Sequence, residues 1–108
     1  MTRVYLSGPI TGLPKEEYTR NFARAEQHYT TAGFEVVNPV KLGEELLLKN
    51  PDASYEDFMS VDLEALRSCT MIALLSGWEN SKGAVREKAE AERRGLEIMQ
   101  YREIGGKR

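Results

Sequence analysis

The 108-residue chain is poor in the residues that most often mark a site by themselves. It has one cysteine, one histidine and one tryptophan. The lone Cys69 excludes an internal disulfide, and no Cys/His cluster has zinc spacing, so neither a metal nor a cofactor is expected. His28 stands alone, which argues against a histidine-based catalytic triad. No apolar run is long enough to span a bilayer and no signal peptide is evident, so a cytoplasmic protein with no membrane partner is expected. Fifteen basic and 17 acidic residues leave a formal charge of −2 with the signs mixed, which excludes the basic footprint of a duplex nucleic-acid binder. Internal repeats and low-complexity stretches are lacking too. The length suits one domain, 1–108, with a single sheet and helices around it.

What the chain does have is a regular alternation of strand and helix patterns. Arg3 to Ser7 is β-prone and ends at Gly8-Pro9. Residues 8–14 hold two glycines and two prolines and read as a loop. Pro14 fits a first helical position, with Glu16 and Glu17 in the first turn. Tyr18, Phe22, Ala25, Tyr29 and Ala32 then repeat at helical spacing up to Gly33. A second strand covers 34–37 and stops at Asn38-Pro39, and 41–49 reads as a short helix. Ser54, with Asp57 three residues on, starts a helix that runs to about Cys69. The apolar run 71–75 reads as a strand buried on both faces, followed by a loop and a helix over 82–94. Gly95 closes that helix, and 96–101 gives a fourth strand. Gly105 to Arg108 is expected to fray. Strands alternating with helices imply a parallel sheet, here four strands in a small flavodoxin- or Rossmann-like three-layer α/β sandwich. Ligands of such sheets bind beyond the C-terminal strand ends.

Asp62 is the most telling residue on spacing alone. Its neighbours at three and four positions are Phe58, Met59, Ala65 and Leu66, all apolar, so no cation lies within helical reach. Desolvation there raises a carboxyl pKa unless the fold supplies donors. A functional carboxyl and a structural one bonded to loop amides both fit. Glu87 also lacks a cation at helical spacing, and Gly83 and Ala84 leave room over it. It lies, however, within the charged run Arg86-Glu87-Lys88, the usual mark of a solvated face. Tyr5 fits a core position or a site, and Trp78 fits a lid over the core or a stacking platform for a base. Ser81 fits a helix cap, a phosphate contact or both. The amides of 76–83 are expected to converge on one anion.

Together these residues resemble a known family. The ordered set Tyr5-Leu6-Ser7-Gly8-Pro9-Ile10-Thr11-Gly12, Asn38-Pro39, Asp62, and Gly77 to Ala84 with Glu87 is similar to the nucleoside 2-deoxyribosyltransferase superfamily. It is most similar to the small phage and prophage members of the DUF4406 group. The resemblance implies Glu87 as the nucleophile at the anomeric carbon, Asp62 as the group assisting the leaving base, and Tyr5 as a bonding partner of the nucleophile or sugar. It implies Gly8, Pro9 and Ile10 as the sugar loop, and Ser81 and Gly83 as the holders of a 5′-phosphate. Asn38, Met59, Gly77 and Trp78 are placed with them as substrate contacts. The implied partner is a small nucleoside or nucleotide. A homo-oligomer, dimer or larger, is implied because such sites are often completed across subunits. The chain departs from the family pattern twice. Its last nine residues contain no Asn or Asp, and Thr11-Gly12-Leu13 puts no basic side chain in the first loop.

Two functions follow. One is an enzyme that cleaves or transfers at an N-glycosidic bond of a deoxyribonucleoside or its 5′-monophosphate, through a covalent glycosyl-enzyme. The other is a nucleotide-binding module without turnover. The enzyme requires the Glu87 and Asp62 carboxyls to approach within roughly 5–7 Å, by analogy with retaining glycosidases.

Overall fold

A computed structural model describes residues 2–102, so the expectation for 105–108 lies outside the described residues. The order of elements is β1 (Arg3–Ser7), α1 (Lys15–Thr31), β2 (Glu35–Val37), α2 (Pro39–Lys49), α3 (Tyr55–Leu66), β3 (Met71–Leu74), α4 (Lys82–Arg93) and β4 (Glu97–Gln100). The four strands form one sheet in the order β2-β1-β3-β4. Every pairing is parallel, with Val4 opposite Val36 on one side and opposite Met71 on the other. The expected three-layer α/β fold is therefore the one observed.

Strand alternation sorts the core. Val4, Leu6, Met71 and Ala73 point to one face and pack with Phe22, Ala25 and Tyr29 of α1. Tyr5, Ile72 and Leu74 point to the other face and pack with Leu66 of α3 and Ala91 of α4. Period-two alternation in the strands meets period-3.6 faces on the helices, so both sheet faces are dry. β1 and β3 are both buried along most of their length, as central strands of a parallel sheet must be.

The element ends show where local chemistry overrode the sequence reading. The helix expected over 41–49 begins at Pro39, because Asn38 caps it by accepting the Val40 amide at 2.9 Å and proline suits the first helical position. Pro14 lies one residue outside α1, accepting the Tyr18 amide through its carbonyl. The helix expected to reach Cys69 ends at Leu66, where Arg67, Ser68 and Cys69 turn with amides bonded three residues back. Ser54 and Asp57 form a full capping box at its start.

The chain reverses direction across the sheet between β1 and β3. The first crossover leads out to β2 and the next one returns past β1. The ends of these two strands diverge there and leave a crevice. They are pinned just before they part by the Leu75 amide, which donates to the Ser7 carbonyl at 2.7 Å. Gly8 makes this approach possible, since a Cβ there would lie 2.7 Å from Leu75 Cβ. Gly8→Ala is expected to lower stability by about 1–3 kcal/mol through this overpacking, read as a drop in the urea midpoint. An unchanged midpoint would show that the two strand ends separate without cost.

Candidate active site

Tyr5 and Ser7 are two residues apart on β1 and so share a face. Both point toward α4, and both are fully buried. There they meet Glu87, which is only 5% exposed. The Tyr5 hydroxyl donates to Glu87 Oε2 at 2.7 Å, and the Ser7 hydroxyl donates to Glu87 Oε1 at 2.6 Å. Each carboxylate oxygen thus has its own hydroxyl donor. Glu87 is not part of a solvated face, although Arg86 and Lys88 on either side of it bond Glu56 and Glu92 at the surface. A helix turns neighbouring residues to different sides, so a charged run in sequence need not be a charged face.

Asp62 completes the group from α3. It is mostly buried, and its carboxyl makes a hydrogen bond with that of Glu87. The two carboxyls therefore approach one another, as the glycosidase analogy requires. Burial, then the charge of Glu87, push the Asp62 carboxyl up from 3.8 to about 8. Burial also raises Glu87, from 4.5 to about 7, while the Ser7 and Tyr5 hydroxyls and Asp62 pull it back. Burial and the Glu87 charge hold the Tyr5 phenol well above its usual 10, so it remains a donor. One proton divided between two carboxyls therefore rests mainly on Asp62 near neutral pH, and Glu87 carries the charge. The α4 N-terminus contributes less to this than the sequence suggested. Glu87 is the sixth residue of α4, beyond the first turn where the dipole acts, and the two β1 hydroxyls stabilise its charge instead.

These groups close one end of a cavity of about 500 Å³, which lies within the usual range of small-molecule sites. Of the residues singled out in the sequence, Gly8, Ile10, Met59, Asp62, Ser81, Gly83 and Glu87 line it, and Tyr5 reaches it through Glu87. Pro9, Asn38, Gly77 and Trp78 do not. Pro9 borders a separate small cleft on the α1 side of the sheet. Asn38 is committed to capping α2 and to Glu26, which its amide bonds at 3.0 Å. Gly77 takes a positive φ of 87° and faces the Pro9 ring. Trp78 packs on the core around Tyr5, Leu66 and Ile72, with the Lys88 ammonium 5.3 Å from its ring centre. It covers the core and is not a platform in the cavity.

The loop after β3 is also more closed than expected. Residues Trp78–Asn80 form a 3-10 turn, which binds the amides of Trp78, Asn80 and Ser81 to carbonyls within the loop. Ser81 caps α4 by accepting the Ala84 amide at 3.2 Å. Three amides of the loop are thus committed to carbonyls, so the whole loop does not converge on one anion.

Several residues of the site, Ser7, Lys15, Tyr18 and Phe58 among them, are absent from the sequence reading of the site. Ser7 was legible as the residue two after Tyr5 on the same strand face. Lys15 lies one position past the first loop, and it lines the cavity. Tyr18 and Phe58 carry the ordinary signature of a helix core face and gave no signal of their own. Among the described residues no group of three or more His, Cys, Asp or Glu is placed to hold a metal. No helix of the described residues is long and apolar enough to cross a membrane.

A doubly wound parallel sheet with a buried carboxyl pair at its strand-order reversal defines an α/β protein with a cavity of small-molecule size at that reversal. The chain belongs to the DUF4406 family, a domain of unknown function whose model matches residues 2–100. No curated protein matches it in sequence. Among solved structures it is similar to a Clostridium botulinum CMP N-glycosidase, BcmB, with a TM-score of 0.60 at 20% identity. The match covers 92% of this chain and 67% of that one. At this identity the likeness shows the fold.

The carboxyl pair fixes a pH dependence of stability. In the unfolded chain both groups release their protons near pH 4; in the folded chain they hold them to about 7 and 8. The folded state therefore binds more protons between pH 4 and 8, and stability from this pair falls as pH rises through that window. Asp62→Asn is expected to remove most of that fall. Its stability relative to the native chain should be higher at pH 8.5 than at pH 4 by on the order of 3 kcal/mol. Urea titrations at both pH values check this, and parallel curves for the two proteins would refute it.

Proposed function

We propose that the protein cleaves the N-glycosidic bond of a deoxyribonucleoside or its 5′-monophosphate, with Glu87 as nucleophile. The observation that carries this reading is the buried Glu87 carboxylate, held by one hydroxyl on each oxygen and facing a protonated Asp62 across the end of an open cavity. A scaffold has no use for two carboxyls forced together in a dry site, whereas acid–nucleophile chemistry needs such a pair with unlike pKa values. The fold shared with a CMP N-glycosidase and the resemblance to the nucleoside 2-deoxyribosyltransferase superfamily support the same reading.

The steps follow from the proton inventory. An oxygen of Glu87 attacks the anomeric carbon as the bond to the base nitrogen breaks, and the electron pair leaves with the base. Asp62 gives its proton to the departing base. The product is a glycosyl ester on Glu87, with Asp62 now ionised. Asp62 then takes a proton from a water that attacks the same carbon, and Glu87 leaves as carboxylate. Both carboxyls return to their starting states, and the sum is nucleoside plus water giving sugar and free base. A second base in place of the water would give transfer. Tyr5 and Ser7 stay protonated throughout. They hold the Glu87 plane and stabilise its charge before and after the ester exists.

Glu87→Gln keeps the size and most of the packing of the side chain while removing its charge. It is expected to lower release of free base by at least about 10³-fold, followed by chromatography over a panel of deoxynucleosides and deoxynucleotides. Turnover needs Glu87 ionised and Asp62 protonated. The rate of the native protein at low substrate should therefore rise toward pH 7 and fall beyond pH 8, a narrow bell. Free base from the native protein excludes a module that only binds. Full activity in Glu87→Gln would remove Glu87 from the nucleophile's role.

A further inference from the structure

The cavity is not chemically uniform, and the division runs through the carboxyl pair. Its polar lining comes from Ser81 before α4, Thr11 in the loop after β1, Lys15 at the start of α1 and Glu44 of α2. Between α2 and α3 it is a slot with mainly apolar walls, on which Glu44 is the one charged side chain of α2. Asp62, Met59, Phe58 and Tyr55 fall at positions i, i−3, i−4 and i−7 of α3, so one helical face presents the acid and then three large side chains in line. Val40 and Leu47 of α2 stand opposite.

Gly43 sits between them in the interior of α2, where glycine costs about 1 kcal/mol relative to alanine. Its φ is not in the left-handed region, so no backbone requirement explains it. Space does: a Cβ at Gly43 would lie 3.3 Å from Phe58 Cε1. The residue lets the Phe58 ring lie against the α2 backbone, and a larger side chain there would push the ring into the slot.

We infer that the α2–α3 slot is the subsite of the departing base, that it takes a two-ring base or one bearing an extended substituent in preference to a bare pyrimidine, and that Gly43 sets this preference. The inference rests on the reading of the site as an N-glycosidic one and adds the class of leaving group. Asp62, the proton donor to the base, is the α3 residue at the slot's inner end, which fixes the end where the base nitrogen sits. From Asp62 to Tyr55 the helix rises about 10 Å. With ring bonds near about 1.35 Å, opposite atoms of a six-membered ring are less than about 3 Å apart. A single ring therefore covers only the inner part of the slot and leaves Phe58 and Tyr55 poorly covered. A second fused ring, or a substituent pointing away from the sugar, lies along the Phe58 ring. The outer end is open, since Leu47 and Tyr55 are 44% and 37% exposed, so a substituent can pass into solvent. Tyr55 is held at this mouth by the Lys82 ammonium and the Arg86 guanidinium, 5.4 and 5.6 Å from its ring centre. Apart from the Glu44 carboxylate and the Tyr55 hydroxyl the walls offer faces, so the base is selected mainly by length and stacking area.

Base release is measured for purine deoxynucleosides, plain pyrimidine deoxynucleosides and pyrimidines with an extended substituent, using native protein, Gly43→Val and Phe58→Leu. The native protein should favour the purine and the extended pyrimidine by at least tenfold in kcat/KM. Both variants should cut that preference at least tenfold, Gly43→Val by pushing the Phe58 ring into the slot and Phe58→Leu by removing the stacking ring while keeping an apolar side chain there. Thermal melts confirm that each is folded, and Phe58→Leu decides the matter if Gly43→Val is not. Calorimetry of free adenine against free cytosine on the same three proteins reads the slot without turnover. Adenine binding that both variants weaken, in the absence of any base release, would uphold the slot and overturn the catalytic reading. Base release with no preference, or a preference that both folded variants retain, would overturn the slot and leave catalysis standing. Neither base release nor binding would overturn both.

Discussion

The contact on which this structure turns is the pair of hydroxyl groups on β1 that meet the two oxygens of Glu87. A carboxylate taken out of water loses its hydration and must find donors or a proton. Here no cation is brought in. Tyr5 and Ser7 supply two donors, and Asp62 supplies a proton that the two acids divide. This arrangement constrains everything near it. β1 must present its polar alternate positions to α4, and α4 must lie where its sixth residue covers the strand. α3 must bring its one acidic position on an apolar face into the same space. The fold is the common parallel sandwich, but the register of these three elements is dictated by the acid at the centre.

Much of the architecture was legible because alternation and helical periodicity are strong signals when elements are short and the turns are rich in glycine and proline. The four strands and four helices lay where the patterns put them, with differences of a few residues at the ends. Those differences came from caps: Asn38 with Pro39 began α2 earlier than its apolar run, and the turn at 67–69 ended α3 before its apolar stripe did. The site was legible in part. Asp62 stood out because its neighbours were apolar, which is a local property. The burial of Glu87 was not readable from its own surroundings, since the partners that take it out of water are 80 and 82 residues away. Trp78 and Asn38 illustrate the reverse case. Their residue types and positions suited a site, but the Trp78 ring covers the core and Asn38 is taken up by a helix cap. Ser7 shows what a strand period adds once one site residue on a strand is known.

The cavity also explains why the site tolerates such an unfavourable pair. Its polar side and its apolar side meet at the two acids, one acid from each wall. The α4 wall contributes the group that carries charge, and the α3 wall contributes the group that keeps its proton. Burial raises both acids; the Ser7 and Tyr5 hydroxyls that pull Glu87 back, and the Glu87 charge that pushes Asp62 further up, are what distinguish them.

The long separation between β1 and Glu87 has a consequence for how the protein comes into being. On a ribosome, residues Tyr5 and Ser7 emerge early and wait for a partner that is made some 80 residues later. β1 can pair with β2 in that interval, but its other edge and its polar face stay open until β3 and α4 arrive. Loop closure over such a span is slow compared with helix formation, so the half-made sheet is the species most open to wrong pairing. Pairing of β1 with β3 closes the sheet centre, and α4, the next helix in the chain, brings the acid onto its two hydroxyls. A chain that has reached its full sheet has, by that step, also assembled its carboxyl site.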